Sequence, residues 1–174
     1  MNVQTLNLLR QLRDKFGAGP FGKVAQKLLA LSFNELGFTH IVERSVEGVD
    51  IDVSGKMGKF ALEVKTTEES SISLSSENVK GLQERVKDGY VPIIAALRLA
   101  PLERWICAKV PLNELSPGQK SIFRLRAYRI HDIENLLTPA FEQVVKEHFQ
   151  GTLKGGQQYL NEQLRKTGID VGES

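Results

Sequence analysis

Apolar residues recur at helical spacing from the start of the chain: Val3, Leu6, Leu9, Leu12 and Phe16, with Gly17 as a stop, predict an amphipathic helix over 2–16. After a Gly/Pro loop, a second and largely apolar helix is predicted over 22–36. It carries Val24, Leu28, Leu29, Leu31 and Phe33, should be buried, and breaks at Gly37. Strands are expected at 38–44, 49–53 and 60–67, the last two joined by the turn-prone 54–59 as a hairpin. The Ser-rich stretch 70–76 reads as a loop whose last serines cap a helix over 77–87. The continuous apolar run 91–97 then reads as a central strand. Further strands are expected at 104–110 and 121–130. Thr138-Pro139 suits the cap and first turn of a helix carrying Phe141, Val144, Val145, His148 and Phe149, with Gly151 ending it. A last helix, 158–166, would precede a frayed polar tail. There is no internal repeat.

A strand at 91–97 reached through a crossover helix runs parallel to the strand before it, whereas the hairpin is antiparallel. The order of elements therefore predicts an α/β fold with a mixed central sheet flanked by helices. One domain is expected over 1–174, with a core at about 22–130, the N-terminal helix, and a C-terminal helical extension at about 132–167.

Composition changes this picture little. Hydrophobic residues make up 41% and charged residues 25%, and no apolar run is long enough to span a bilayer. The N-terminal residues lack the pattern of a secretory signal, so a cytoplasmic protein is expected. A net charge of +2 does not by itself indicate a nucleic-acid partner. The single cysteine, Cys107, sits among apolar neighbours and reads as a buried small hydrophobe. The three histidines have no ligand-like spacing, which argues against zinc.

The chemistry concentrates in the hairpin. Strand alternation puts Val49, Ile51 and Val53 on one face and Asp50 and Asp52 on the other. In the partner strand Phe60, Leu62 and Val64 oppose Ala61, Glu63 and Lys65. If Val53 pairs with Phe60, Asp50 lies across from Glu63, and two like charges so placed destabilise a sheet unless a cation sits between them. Asp50, Glu63 and the Val64 carbonyl offer three oxygens to a hard ion, Mg²⁺ or Mn²⁺. Such an ion activates water and neutralises charge at phosphorus, while Lys65, two residues beyond Glu63, is placed to orient the water or act as base. The plainer reading is a solvated hairpin face with a cross-strand ion pair. Asp52 shares the face of Asp50, either as a supporting carboxylate or as a solvated charge.

Gly48-Val49-Asp50-Ile51, a Gly-containing turn, and Phe60-Ala61-Leu62-Glu63-Val64-Lys65 together resemble motifs II and III of the PD-(D/E)XK nucleases, in particular the archaeal Holliday-junction resolvase branch. The resemblance runs from about 22 to about 110. It implies a restriction-endonuclease-like fold and a metal-dependent endonuclease acting on branched DNA as a homodimer, with Asp50 and Glu63 as metal ligands and Lys65 as catalytic residue. That branch places a glutamate on the helix before the first strand, and the matching position here is Gln26. Its oxygen can ligate a metal or hold a water but brings no charge. Glu35 does not replace it, because nine residues at about 100° each put it on the opposite helix face. The resemblance also admits a restriction or repair nuclease of the same fold, and the glutamine admits a catalytically silent nucleic-acid-binding module.

Lys23, Lys56, Lys59, Lys80 and Gln83, with Arg124 and Arg126 on one strand face, are candidates to track DNA phosphates, though each alone is more often a surface charge. Residues 17–23 match glycine-rich phosphate-loop patterns but lack a preceding strand and the metal-binding hydroxyl. A hinge or DNA-contacting loop is the better expectation there.

Overall fold

The computed structural model describes residues 1–44 and 48–172. Five helices and eight strands follow in the order α1 (Val3–Phe16), α2 (Ala18–Glu35), β1 (His40–Glu43), β2 (Ile51–Gly55), β3 (Gly58–Thr67), β4 (Ser71–Leu74), α3 (Ser76–Lys87), β5 (Val91–Arg98), β6 (Ile106–Ala108), β7 (Gly118–Ser121), α4 (Ile122–Leu125), α5 (His131–Lys166) and β8 (Asp170–Val171). A 3₁₀ turn, Arg126–Tyr128, follows α4.

The main sheet has the order β6-β5-β3-β2-β1-β8. It is mixed: β3 runs parallel to β5 and β1 to β8, and the remaining pairs are antiparallel. This is the α/β architecture the order of elements predicted. The two sheet faces differ. Ile51, Val53, Phe60, Leu62 and Val64 pack with α1, α2 and α5 in one apolar cluster. On the opposite face Val49, Ala61, Ile94 and Ala96 pack with Val79 and Leu82 of α3 and with the two-stranded β4–β7 ribbon. Phe141, Val144 and Val145 of α5 belong to the first cluster, so the C-terminal helix contributes directly to the core. Among the described residues no helix is long and apolar enough to cross a membrane.

Several expectations are corrected. Residues 18–21 are the first turn of α2 rather than a loop. Pro20 is tolerated there because first-turn N–H groups have no helical partner, and Gly17, with φ +82°, makes the corner between α1 and α2. Residues 71–74, expected as loop, pair with β7, while the cap predicted for α3 is present as a Ser75–Asn78 capping box. Within the expected strand 121–130, residues 122–128 are helical rather than extended: Ile122 and Leu125 are both buried, three apart, on one side of α4.

Helix α5 starts at His131 and passes through both Pro139 and Gly151. An interior proline costs about 3 kcal/mol; here it lies on the exposed side while Ile133, Leu137 and Phe141 are buried on the other, and that burial outweighs it. Gly151 is needed for close approach. The chain bends at Gly156, and the Tyr159 ring folds back so tightly that a Cβ on Gly151 would lie 2.2 Å from it. His148 packs there as expected of a helix residue, its Nδ1 3.0 Å from the Tyr159 hydroxyl. The tail, expected to fray, adds β8 to the sheet edge, with Gly172 N–H donating to the Glu43 carbonyl at 2.7 Å.

Candidate active site

The hairpin register is the one the alternation predicts: Val53 faces Phe60 and Ile51 faces Leu62. The ladder ends there. β3 continues to Thr67 with β5 as its partner, so the edge of β3 beyond Leu62 is no longer covered by β2. Divergence of two strands leaves main-chain groups that need other partners. Asp50, at the bend before β2, supplies one: its Oδ2 accepts the Val64 N–H at 2.8 Å. Asp50 thus reaches past direct opposition to Glu63. Val49, expected on the face of Ile51, packs on the opposite face because the chain turns at this bend. In an extended strand the N–H and C=O of one residue point to the same edge, so the Val64 carbonyl opens toward Asp50.

Glu63 is 1% exposed. One carboxylate oxygen accepts from Lys65 Nζ at 2.7 Å; the other, Oε2, is buried with no hydrogen-bond donor among the described residues. Burial, followed by the facing charge of Asp50, pushes the Glu63 pKa up to about 7, and Lys65 opposes that rise. Two acids within hydrogen-bonding reach call for either a shared proton or a cation. Lys23 Nζ approaches Asp50 Oδ1 at 3.3 Å and Gln26 Oε1 at 3.0 Å.

Gln26 lies beside the site but is committed. Its Nε2 donates to Glu43 Oε1, the Arg44 carbonyl and the Asp50 carbonyl at 2.7, 2.6 and 3.1 Å. Glu43, itself buried, pairs with the buried Lys27 at 2.8 Å. This Lys27–Glu43 pair holds α2 against β1 behind the site and went unrecognised in the sequence. A lysine within the apolar run of α2 is the one signal that pointed to it. Asp52 is neither a support to Glu63 nor solvated. It is 1% exposed and clamped between Arg44 at 2.6 Å and Arg85 at 2.7 Å.

Lys23, Asp50, Glu63, Lys65 and Lys80 line a cleft of about 530 Å³ between the divergent strands and α3. Gly81 lets α3 sit close to the Gly48–Val49 backbone: a Cβ there would come within 3.1 Å of the Gly48 carbonyl carbon. Other predicted residues lie elsewhere. Gln83 is exposed and off the cleft-facing side of α3, which presents Glu77, Lys80 and Glu84. Lys56 and Lys59 are at the hairpin turn, the far end of β3, where Lys59 sits over Tyr90. Arg126 pairs with Glu103 at 2.6 Å. Cys107 is fully buried as expected, with its thiol pKa pushed up by burial.

The donor set suits a hard divalent cation in one specific respect: it offers a buried carboxylate oxygen with no donor, facing a second carboxylate, next to an outward carbonyl. It offers no third acid, and among the described residues no group of three or more acidic, histidine or cysteine side chains converges.

The mixed six-stranded sheet between helices is consistent with a resolvase-type α/β fold. Among solved structures, that of Hjc from Archaeoglobus fulgidus, a Holliday junction resolvase from an archaeal hyperthermophile, superposes with a TM-score of 0.52. The two share 18% identity, over 66% of this chain and 94% of that one. No protein-family model matches the chain, and no curated protein matches it.

Proposed function

We propose that this chain is a metal-dependent endonuclease that hydrolyses phosphodiesters of branched DNA, with Asp50, Glu63 and Lys65 at its centre. The observation that carries the reading is Glu63 Oε2, buried without a donor against Asp50 at the mouth of an open cleft. The fold shared with a Holliday junction resolvase supports the choice of substrate. Asp50, Glu63 and the Val64 carbonyl would hold Mg²⁺ or Mn²⁺, which supplies charge neutralisation and an acidified water when bound.

The chain's own groups do the rest. Glu63, its pKa pushed up to about 7, would have to release its proton to hold a cation. Lys65, 26% exposed and tethered to Glu63, presents its side-chain nitrogen at the cleft wall to donate to and orient a water. Lys23 positions the Asp50 carboxylate from α2, and Lys80 on the facing helix offers a cation to the flanking phosphate. A second copy of the chain would place two such clefts on the two strands of a junction.

Binding without cleavage is a second reading, favoured by one observation: Gln26 stands where a third acid would complete the site, and its amide is occupied. A synthetic four-way junction and a supercoiled plasmid, each incubated with Mg²⁺, Mn²⁺ or EDTA, separate the two. Metal-dependent cleavage that is lost in D50N supports the enzyme. Junction binding with no cleavage under either metal supports the silent module.

A further inference from the structure

A second surface of the molecule has the chemistry of a nucleobase platform. Ile122 and Leu125 turn inward from α4, which forces Phe123 and Arg124 outward. Phe123 is 80% exposed, and it is the one aromatic among the large hydrophobic side chains exposed in the described residues. It borders a groove of about 700 Å³ shared with Ser71, Lys120, Arg124 and Tyr128. The acid of that groove, Glu114, accepts a hydrogen bond from the Tyr128 hydroxyl, and Lys120 and Arg124 set two cations against this one carboxylate.

Placement ties this groove to the cleft. Ile122 N–H donates to the Ser70 carbonyl at 2.9 Å, and Ser121 pairs with Ser71. Ser70 follows Lys65 by five residues, which span at most about 18 Å. From Glu63 the seven residues to Ser70 span at most about 25 Å, so the platform lies within roughly ten stacked nucleotides of the acids at about 3.4 Å of rise each.

We infer that Phe123 stacks an unpaired base of the DNA strand whose backbone enters the cleft, with Lys120 and Arg124 holding the adjacent phosphates. An exposed ring flanked by cations is how single strands are bound without sequence readout. A second copy of the chain is the poorer occupant, because a stable interface buries about 800 Å² per partner with an apolar centre free of charges, and here Lys120, Arg124 and Glu114 stand around the apolar floor of Val110, Leu125, Ala127 and Tyr128. The inference rests on the nucleic-acid reading of the cleft and narrows its substrate to branched DNA with a single-stranded segment.

The test is titration of the full chain with fluorescent oligothymidylate in EDTA, comparing wild type, F123A, F123W and K120A/R124A. F123A should bind about tenfold or more weakly at unchanged melting temperature. F123W should bind like wild type, its new indole fluorescence quenched by the oligonucleotide. K120A/R124A should flatten the salt dependence. Wild-type affinity in F123A, or loss of a dimer by sedimentation in F123A with oligonucleotide binding intact, overturns the inference. Quenching retained in a protein that cleaves nothing under any metal would remove the nuclease and leave the platform. Metal-dependent cleavage without quenching would do the reverse.

Discussion

Replacing Glu63 by glutamine tests the centre of the argument without any substrate. In the metal-free protein the Glu63 pKa stands at about 7 instead of 4.5, mainly because the carboxyl is buried and then because Asp50 faces it. The folded state therefore keeps a proton that the unfolded chain releases between those two values. Stability from the protonated group is fully present below pH 4.5 and is lost as pH rises through 7. At 1.36 kcal/mol per pH unit, the ionised form at pH 8 carries a penalty of about 3 kcal/mol. E63Q keeps the shape and removes the titration. Urea unfolding in EDTA should therefore find the variant close to wild type at pH 4.5 and more stable by up to about 3 kcal/mol at pH 8. The lost Lys65 contact, partly exposed, offsets less than about 1 kcal/mol of that. Adding Mg²⁺ at pH 8 should close the gap by stabilising wild type, by about 2.7 kcal/mol at a hundred times its Kd. Parallel pH profiles for the two proteins in EDTA would refute the buried, acid-facing environment assigned to Glu63.

Three further outcomes are expected. K65A should slow single-turnover junction cleavage in Mn²⁺ about 10²- to 10⁴-fold with junction affinity little changed, and an unaltered rate would remove Lys65 from the chemistry. Q26E, which looks like restoration of a missing acid, should instead lower the metal-free melting temperature. It replaces a donor to Glu43 and two carbonyls with a buried charge, at a cost of about 2–4 kcal/mol, or roughly 4–16 °C for a domain of this size; an unchanged melting temperature would contradict the hydrogen bonds assigned to Gln26. G151A should destabilise by about 1–3 kcal/mol through overpacking against Tyr159, and Y159A should relieve it in the double variant, where simple additivity would argue against the contact.

How much could be seen in advance follows the range of the forces involved. Period-two alternation at 51–53 and 60–65, a short turn between them and a crossover helix were enough to set the hairpin register, the parallel β3–β5 pair and the shared face of Glu63 and Lys65. These depend on sterics and burial over a few residues, which a linear pattern records. The approach of Asp50 to Glu63 was also legible, because the register implies it. Its actual mode was not: Asp50 caps the Val64 N–H beyond the end of the ladder.

What only the folded chain decided are the partners brought from far along the sequence. Asp52 looks like any strand carboxylate until Arg44 and Arg85 close on it, and Gln26 looks like a substituted ligand until its amide is found spanning β1 and the approach to β2. Residues 122–125 became helical, and Pro139 stayed within a helix, because burial against the sheet outweighed local preference. Gly151 reads as a helix stop in sequence; in three dimensions it is the space that the Tyr159 ring occupies. Local pattern sets elements and faces, whereas the pairing of buried charges and the filling of space depend on contacts between distant residues, which no local pattern encodes.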